Sequence, residues 1–387
     1  MDYGEENMKR ALVYASVASM IQQFNMDNIR LLIDSGYQVD VACNMKQGST
    51  ITIEKIESMK QELEMMGVKI YHIPIPRKIT AVGEIIESFN FTRKLINERE
   101  YALIHCHSPI GGMICRLANR CSNRYRNSKV IYTAHGFHFF KGAPKRNWLL
   151  FYPVELACAY FTDILITINQ EDYALAQKKF KHTKVVYVPG VGVDTKKFRS
   201  NLPKKNNLRQ SLEIDNNDIL LVSVGELSTR KNHEVVIRAL AQIENNSLKY
   251  VICGLGSLQD YLEKLVSDLQ IESQVFFLGY RSDIADILNI SNIYVFPSLQ
   301  EGLPVALMEA MACGKAVVCS SIRGNTDLID EKGGALFDPE NSDSCMRAIK
   351  DLLNRDLTEM GKYNRKKVEG FSREKVEDCM RKIYKLE

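Results

Sequence analysis

The stretch ILLVSVGELSTRKNHEVVIRALAQIENNSLKYVICG, residues 219–254, holds the unit from which most of the chain is built. Ile219–Gly225 is a largely apolar run rich in Leu and Val, interrupted only by Ser223, the pattern of a strand buried on both faces. A polar loop, Glu226–Asn232, leads into a helical pattern near 232–244, and a second apolar run follows at Lys249–Gly254. Strand, helical crossover and strand make a parallel βαβ unit.

The alternation extends in both directions. Downstream, strands are expected at Gln274–Tyr280, Ile293–Ser298 and Ala316–Ser320, with helices near 257–270, 282–289, 304–313, 343–354 and 357–368. Upstream, strands are expected at Arg10–Val17, Gln38–Cys43, Lys69–Ile75, Ala102–Ser108, Lys129–His135, Asp163–Ile168 and Lys184–Pro189, with helices near 21–34, 55–66, 80–98, 110–122, 146–161 and 170–180. The rhythm pauses over 190–217, where Pro203, Lys204-Lys205 and the polar run Asp215–Asp218 read as a linker with one short helix. The expected fold class is therefore α/β: two Rossmann-like, doubly wound parallel-sheet domains. The boundaries read as 1–190 for the first, 191–370 for the second with 191–217 as its linker, and 371–387 for a final amphipathic helix packing back on the first domain. Val376, Met380, Ile383 and Tyr384 form the apolar stripe of that helix, and Ser372 is its expected N-cap.

The chain has 387 residues and is 45% hydrophobic and 25% charged, which excludes a disordered, collagen-like or coiled-coil architecture. A net charge of +4 is too small for a dedicated nucleic-acid binder. The charge is uneven: 101–160 holds eight Lys or Arg and one acid, +7, against −3 for the remainder. Such a patch attracts phosphates or an anionic lipid surface, or is simply a solvated basic face. The ten cysteines form no Cys-x-x-Cys, and the start MDYGEENMKR is acidic and polar, so reduced thiols in a cytoplasmic protein are expected. His105-Cys106-His107 is not read as a metal site, because residues i and i+2 of a strand share a face and Cys106 points away. Pro153, Glu155 and Asp163 interrupt Trp148–Ile168, so it reads as a helix and a buried strand rather than a membrane span. Lys145, Arg146 and the cluster Trp148–Tyr152 begin that helix; they suit either a membrane surface or packing on the sheet.

In open α/β sheets, ligands bind beyond the carboxyl ends of the strands, so two such domains are expected to face a cleft with their functional residues just after strands. Gly225 permits a tight turn, and Arg230 and Lys231 stand before a helix, the positive end of its dipole, where a diphosphate binds. Asn232 is the expected N-cap of that helix. Gly254-Leu255-Gly256 lacks the third glycine of a dinucleotide fingerprint and reads as a close backbone turn. Glu301-Gly302-Leu303-Pro304-Val305-Ala306-Leu307-Met308-Glu309 follows the strand end Pro297-Ser298. Its two carboxylates are too far apart to work as one pair but can reach two parts of an extended polar ligand.

This Glu-x7-Glu segment, with Gly-Glu-Leu and Arg-Lys-Asn upstream, resembles the retaining glycosyltransferases of the GT-B fold, and family 4 in particular. Thr133–Gly142, with Ala15-Ser16-Val17 and Gln23-Phe24-Asn25, is similar to the bacterial enzymes that build capsular, exopolysaccharide or glycan repeat units on polyprenyl diphosphate. The resemblance implies that Arg230 and Lys231 neutralise the leaving diphosphate and that Glu309 holds the ribose hydroxyls. It implies that Glu301 contacts the donor sugar, that Gly302, Leu303, Pro304 and Val305 offer backbone amides, and that the base lies near Gly279, Tyr280 and Arg281. It places His135 near the donor sugar or the acceptor. Arg116, Arg120, His138, Lys141, Lys145, Arg146 and Trp148 are expected on the acceptor and membrane side. The first strand–helix loop, Val17-Ala18-Ser19-Met20-Ile21, lacks the Gly-Gly pair of many relatives.

No Asp-x-Asp occurs in the chain, so no metal and no cofactor are expected beyond a nucleotide-sugar co-substrate, most naturally a UDP-sugar. The expected partners are that nucleotide sugar, a lipid-linked saccharide acceptor and a membrane surface, with no nucleic acid; the expected place is the inner face of the plasma membrane. Two alternatives keep other classes open: a nucleotide-sugar 2-epimerase of the same fold, and a non-catalytic donor-binding subunit.

Overall fold

A computed structural model of the chain describes residues 8–46, 51–199 and 205–385. The linker residues Pro203 and Lys204, the acidic start and the last two residues lie outside the described residues. The chain divides into two compact units, Met1–Val188 with Glu377–Glu387, and Pro189–Val376.

The first unit contains strands β1 (Arg10–Val17), β2 (Gln38–Asn44), β3 (Lys69–His72), β4 (Tyr101–His107), β5 (Lys129–Ala134), β6 (Ile164–Thr167) and β7 (Lys184–Tyr187). The second contains β8 (Ile219–Val224), β9 (Leu248–Cys253), β10 (Val275–Phe277), β11 (Ile293–Phe296), β12 (Ala316–Ser320) and β13 (Gly334–Phe337). The sheet orders are β3-β2-β1-β4-β5-β6-β7 and β10-β9-β8-β11-β12-β13, with parallel pairing throughout. Each sheet is doubly wound, and each reverses direction once, at β1/β4 and at β8/β11.

Helices cover both faces, so the central strands bury both of their sides. The residues Leu12, Tyr14, Ile104 and Tyr132 belong to the first core, and Val236, Leu240, Tyr250, Val295 and Val318 to the second. The final helix, Arg373–Lys385, is capped by Ser372, whose Oγ accepts the Lys375 amide at 3.3 Å. Met380, Ile383 and Tyr384 are buried, and Tyr384 Oη meets His105 Nδ1 at 2.8 Å.

Three local features differ from the expectations. β13 is a strand: Gly334 pairs with Val317, and a Cβ there would fall 2.1 Å from the Val317 carbonyl oxygen. No strand is expected there from the sequence, since a four-residue edge strand that opens on Gly334 directly after Gly333 is a weak pattern: glycine weakens strands. The helix expected over 21–34 is two, Ala18–Phe24 and Met26–Asp34. Buried Asn25 breaks it by donating from Nδ2 to the Met20 carbonyl at 2.9 Å. Asn232 stands before the helix His233–Leu240 but caps nothing; with φ of 55° it donates instead to the carbonyls of Pro297 at 3.2 Å and Pro339 at 2.8 Å.

Candidate active site

In the second unit, four loops meet at the carboxyl ends of β8, β9, β11 and β12. The loop after β9 lies backbone to backbone on the loop after β8. A Cβ at Gly254 would sit 1.8 Å from the Gly225 oxygen, and one at Gly256 would sit 2.2 Å from the Leu227 oxygen. Leu227 and Leu255 share a backbone bond at 3.0 Å, and Leu258 N–H donates to Leu227 at 3.1 Å. Gly-x-Gly here is a packing device between two loops.

The loop after β11 docks on the same place, with Leu299 N–H donating to the Arg230 carbonyl at 2.8 Å. That contact brings one carboxylate oxygen to two cations. Glu301 Oε1 accepts from Arg230 Nη1 at 2.8 Å and from Lys231 Nζ at 2.8 Å. Arg230 Nη1 also donates to the Gln300 carbonyl at 3.2 Å. Lys231 lies over the Phe296 ring, 4.7 Å from its centroid, and Gly225 lets its stem pass, since a Cβ there would meet Lys231 Cδ at 3.2 Å. Burial pulls the Lys231 pKa down, and Glu301 opposes the fall. Half-exposed Arg230 faces water, while Lys231 and Glu301 are largely covered.

Gly302 and Leu303 lead into the helix Val305–Ala312, whose N-terminus no side chain caps. The expectation of amides from Gly302 through Val305 needs one correction: Pro304 has no N–H. Val305, Ala306 and Leu307 carry the first helical N–H groups instead. The Leu303 side chain is buried, 2.8 Å from where a Cβ at Gly190 would stand. Glu309, one helical turn further along, is partly covered and its carboxyl is pushed up to about 7 by burial, with Lys197 and Arg373 favouring the charged form. Tyr280 is exposed, and Arg281 is held by Asp283 through Nε–Oδ1 at 2.8 Å and Nη2–Oδ2 at 2.5 Å.

Sequence reasoning passed over the loop after β12. Arg323 donates from Nε to the Glu301 carbonyl at 3.2 Å, and Gly324, with φ of 79°, lies where a Cβ would be 2.2 Å from the Gly302 oxygen. The available signal was an Arg-Gly pair shortly after a strand end.

In the first unit, the equivalent strand ends carry different groups. The helix Ala18–Phe24 starts directly at the end of β1, with Ala18 and Ser19 buried in place of a glycine loop. Ser16 Oγ accepts the Gly111 amide at 3.0 Å, tying β1 to the helix Pro109–Arg120. His135, just beyond β5, has Phe24 at 6.0 Å and His107 at 5.5 Å between ring centroids. Burial holds its pKa down to about 4. His105 and His107 do share a face, their rings 4.1 Å apart, while Cys106 Sγ lies 3.5 Å from the Ile131 carbonyl.

The residues expected on the acceptor and membrane side divide. Arg116 is not a surface cation: it is 1% exposed, paired with Glu155 at 2.8 Å and stacked on Tyr132 at 3.8 Å. Trp148 packs on Phe139 and Tyr152 at 5.5 and 5.8 Å and donates to the Phe140 carbonyl at 3.3 Å. His138 lies against Phe151 at 4.7 Å. Arg120, Lys141, Lys145 and Arg146 are exposed, as are Leu149 at 76% and Leu150 at 53%. No helix among the described residues is long and apolar enough to cross a membrane.

Comparison with known proteins places this geometry in a family. Residues 204–367 match the model "Glycosyl transferases group 1", and residues 15–169 match "Glycosyl transferase 4-like". The chain is 32% identical over 385 residues to EpsD of Bacillus subtilis, a protein named as a glycosyltransferase, covering 97% of this chain and 96% of that one. It is 28% identical over 377 residues to the UDP-Gal:alpha-D-GlcNAc-diphosphoundecaprenol alpha-1,3-galactosyltransferase of Escherichia coli, covering 95% and 93%. Among solved structures, HepE of Anabaena in complex with UDP and glucose shares the fold, with a TM-score of 0.75, 19% identity and 98% and 99% of the two chains covered. The two domain matches, the two doubly wound sheets and the end-to-end similarity to EpsD converge: the chain belongs to the glycosyltransferases of group 1 and family 4 type, enzymes that move a glycosyl group.

Proposed function

We propose that this enzyme transfers a sugar from a UDP-sugar to a hydroxyl of a polyprenyl-diphosphate-linked saccharide, with retention of anomeric configuration. The observation that carries the reading is the meeting of Arg230, Lys231 and Glu301 at the β8/β11 reversal, the place where a doubly wound sheet binds its ligand. The name of the Escherichia coli relative supports donor and acceptor class, and the UDP bound to HepE supports the nucleotide.

The diphosphate lies against Arg230 and Lys231 and the uncapped amides of Val305, Ala306 and Leu307. Glu301 holds the two cations in place before the donor arrives; the diphosphate then takes over their charge and leaves the Glu301 carboxylate for the sugar hydroxyls. Glu309 accepts from the ribose hydroxyls, and the base lies beside Gly254, Tyr280 and Arg281. The C1–O bond to the diphosphate breaks while the acceptor oxygen bonds C1 from the same face, and the acceptor proton passes to the departing phosphate oxygen. This route needs positioning and charge stabilisation rather than an enzymic nucleophile. Two fixed cations supply that charge, so the reaction runs without a metal or other cofactor. Lys141, Lys145 and Arg146, beside exposed Leu149 and Leu150, hold the enzyme at the cytoplasmic face of the plasma membrane.

A thermal-shift panel with UDP, GDP, ADP and NAD is the first test. A ligand at ~100 times its dissociation constant stabilises by roughly 2.7 kcal/mol, so UDP alone should raise the melting temperature. A shift with GDP alone would move the donor to another nucleotide class. The second test incubates UDP-sugar without acceptor: a changed sugar on UDP would indicate an epimerase and overturn transfer as the reaction.

A further inference from the structure

Three histidines stand in a row at the carboxyl ends of β4 and β5. His105 is fixed at both ring nitrogens, Nδ1 by Tyr384 Oη and Nε2 by Thr133 Oγ1, each at 2.8 Å. His107 lies against His105, and its Nδ1 is 3.2 Å from Nε2 of His135. Burial keeps all three neutral: His105 falls to about 3, His135 to about 4, and His107 well below its ordinary value. In a pair of neutral imidazoles one ring must donate and the other accept. His107 Nε2 is buried with no hydrogen-bond partner among the described residues. A buried unpaired N–H is rarer than a buried unpaired acceptor. Placing the one proton of His107 on Nδ1, directed at His135 Nε2, leaves only an acceptor unpaired at His107 Nε2 and puts the His135 proton on Nδ1.

We propose that His107 is a positioning residue: by donating from Nδ1 to His135 Nε2 it fixes the His135 ring so that Nδ1–H is the group offered to a bound ligand. That donor suits a hydroxyl or ether oxygen of a sugar. An unconstrained histidine side chain favours the Nε2–H form, so the pairing selects the less common tautomer. The inference rests on the reading of His135 as a residue of the sugar site.

Selective 15N-histidine labelling of the full chain reads the tautomer directly, with the His135 signals assigned by a His135 variant. The expected result is a protonated Nδ1 and a bare Nε2 at His135. His107→Phe fills the space but removes the bond; His135 should revert toward Nε2–H and kcat should fall roughly 10- to 100-fold, the scale of a lost buried hydrogen bond. His107→Asn places an amide N–H near the old Nδ1 and should restore both the tautomer and most of the rate. A His135 carrying Nε2–H in the parent, or an unchanged His135 signal in His107→Phe, overturns the proposal. If the phenylalanine variant does not fold, the parent spectrum and the asparagine variant still decide. His135→Ala separates the underlying reading: parental turnover there removes His135 from the reaction, and the role of His107 with it, whatever tautomer is found.

Discussion

The two sheets share one strand order through their first six strands, so each offers a reversal at its carboxyl edge, yet the two edges carry opposite chemistry. At β8/β11 the groups are ionic: Arg230 and Lys231 converge on one oxygen of Glu301. At β1/β4 and the neighbouring β5 they are neutral: Ser16, His107 and His135, with burial holding the imidazoles uncharged. Topology supplies two places where a ligand can bind; side-chain charge decides which one suits a diphosphate. An ionic edge stabilises a leaving group that gains charge, whereas a neutral edge positions hydroxyls without competing for that charge.

The largest expected effect tests the ionic edge. Removing one preorganised donor to a developing negative charge costs about 10²- to 10³-fold, so Arg230→Ala with Lys231→Ala should lower kcat by about 10³-fold or more. Donor KM should move far less, because the charge on the departing diphosphate grows in the transition state. A double variant with parental kcat would strip the β8/β11 edge of its role. The same substitutions remove both cations that hold Glu301 in the ligand-free site, yet Glu301→Gln in that background should still lower the rate further, because the carboxylate also accepts from the sugar hydroxyls.

Arg116 supplies the contrast within the first unit. It is as cationic as Arg230 but lies under the surface between Glu155 and Tyr132, whose hydroxyl also donates to Glu155 at 2.9 Å. Removing one partner of a buried pair leaves a charge without compensation, at about 3 kcal/mol or more. Arg116→Met should lower unfolding stability by about that amount in denaturant titration, and Glu155→Leu added to it should return much of the loss. UDP affinity should not change. Intact stability with impaired transfer would restore Arg116 to the acceptor side and erase the contrast.

The contrast also explains what could be read from residues alone. Nearly every strand of both sheets was legible, because parallel strands buried on both faces read as continuous apolar runs. β13 was not, since Gly333-Gly334 carries no such run, and Asn25 hid a helix break in an otherwise helical pattern. Arg230, Lys231, Glu301 and Glu309 stood out by type and spacing. Their pairing did not, because Arg230 and Glu301 meet only through tertiary packing of two loops. Arg116 was grouped with Lys145 and Arg146 because composition counts a buried cation and a solvated one alike. Arg323 escaped notice because its visible task, holding the Glu301 carbonyl, exists only once β12 lies beside β11.

A smaller effect is expected at the exposed end of the helix Lys145–Ala159. A cation close to an anionic leaflet contributes about 1 kcal/mol. Lys145→Glu with Arg146→Glu should therefore weaken co-sedimentation with phosphatidylserine-containing vesicles by about thirtyfold or more. Neutral vesicles should show no difference between parent and variant. Equal binding of parent and variant to the anionic vesicles would remove Lys145 and Arg146 as the cause of membrane attachment.

The smallest effect is expected at Glu309, a partly covered acid of the ionic edge. Burial raises Glu309 to about 7, while Lys197 and Arg373 limit the rise. In the folded state the proton is held more tightly than in the unfolded chain. The stabilising contribution of the neutral form is complete at low pH and is lost as pH climbs from the ordinary carboxyl range through about 7. Glu309→Gln should therefore be more stable than the parent at pH 8 and little changed at pH 4. Ligand binding should run the other way, since only the carboxylate can accept from both ribose hydroxyls. At pH 6 roughly a tenth of the groups are ionised, so UDP affinity should be about tenfold weaker than at pH 8 by calorimetry. Glu309→Gln should bind UDP weakly with a flat profile between those values. A parent whose UDP affinity is also flat would detach Glu309 from the ribose while leaving the assignment of the diphosphate to Arg230 and Lys231 untouched.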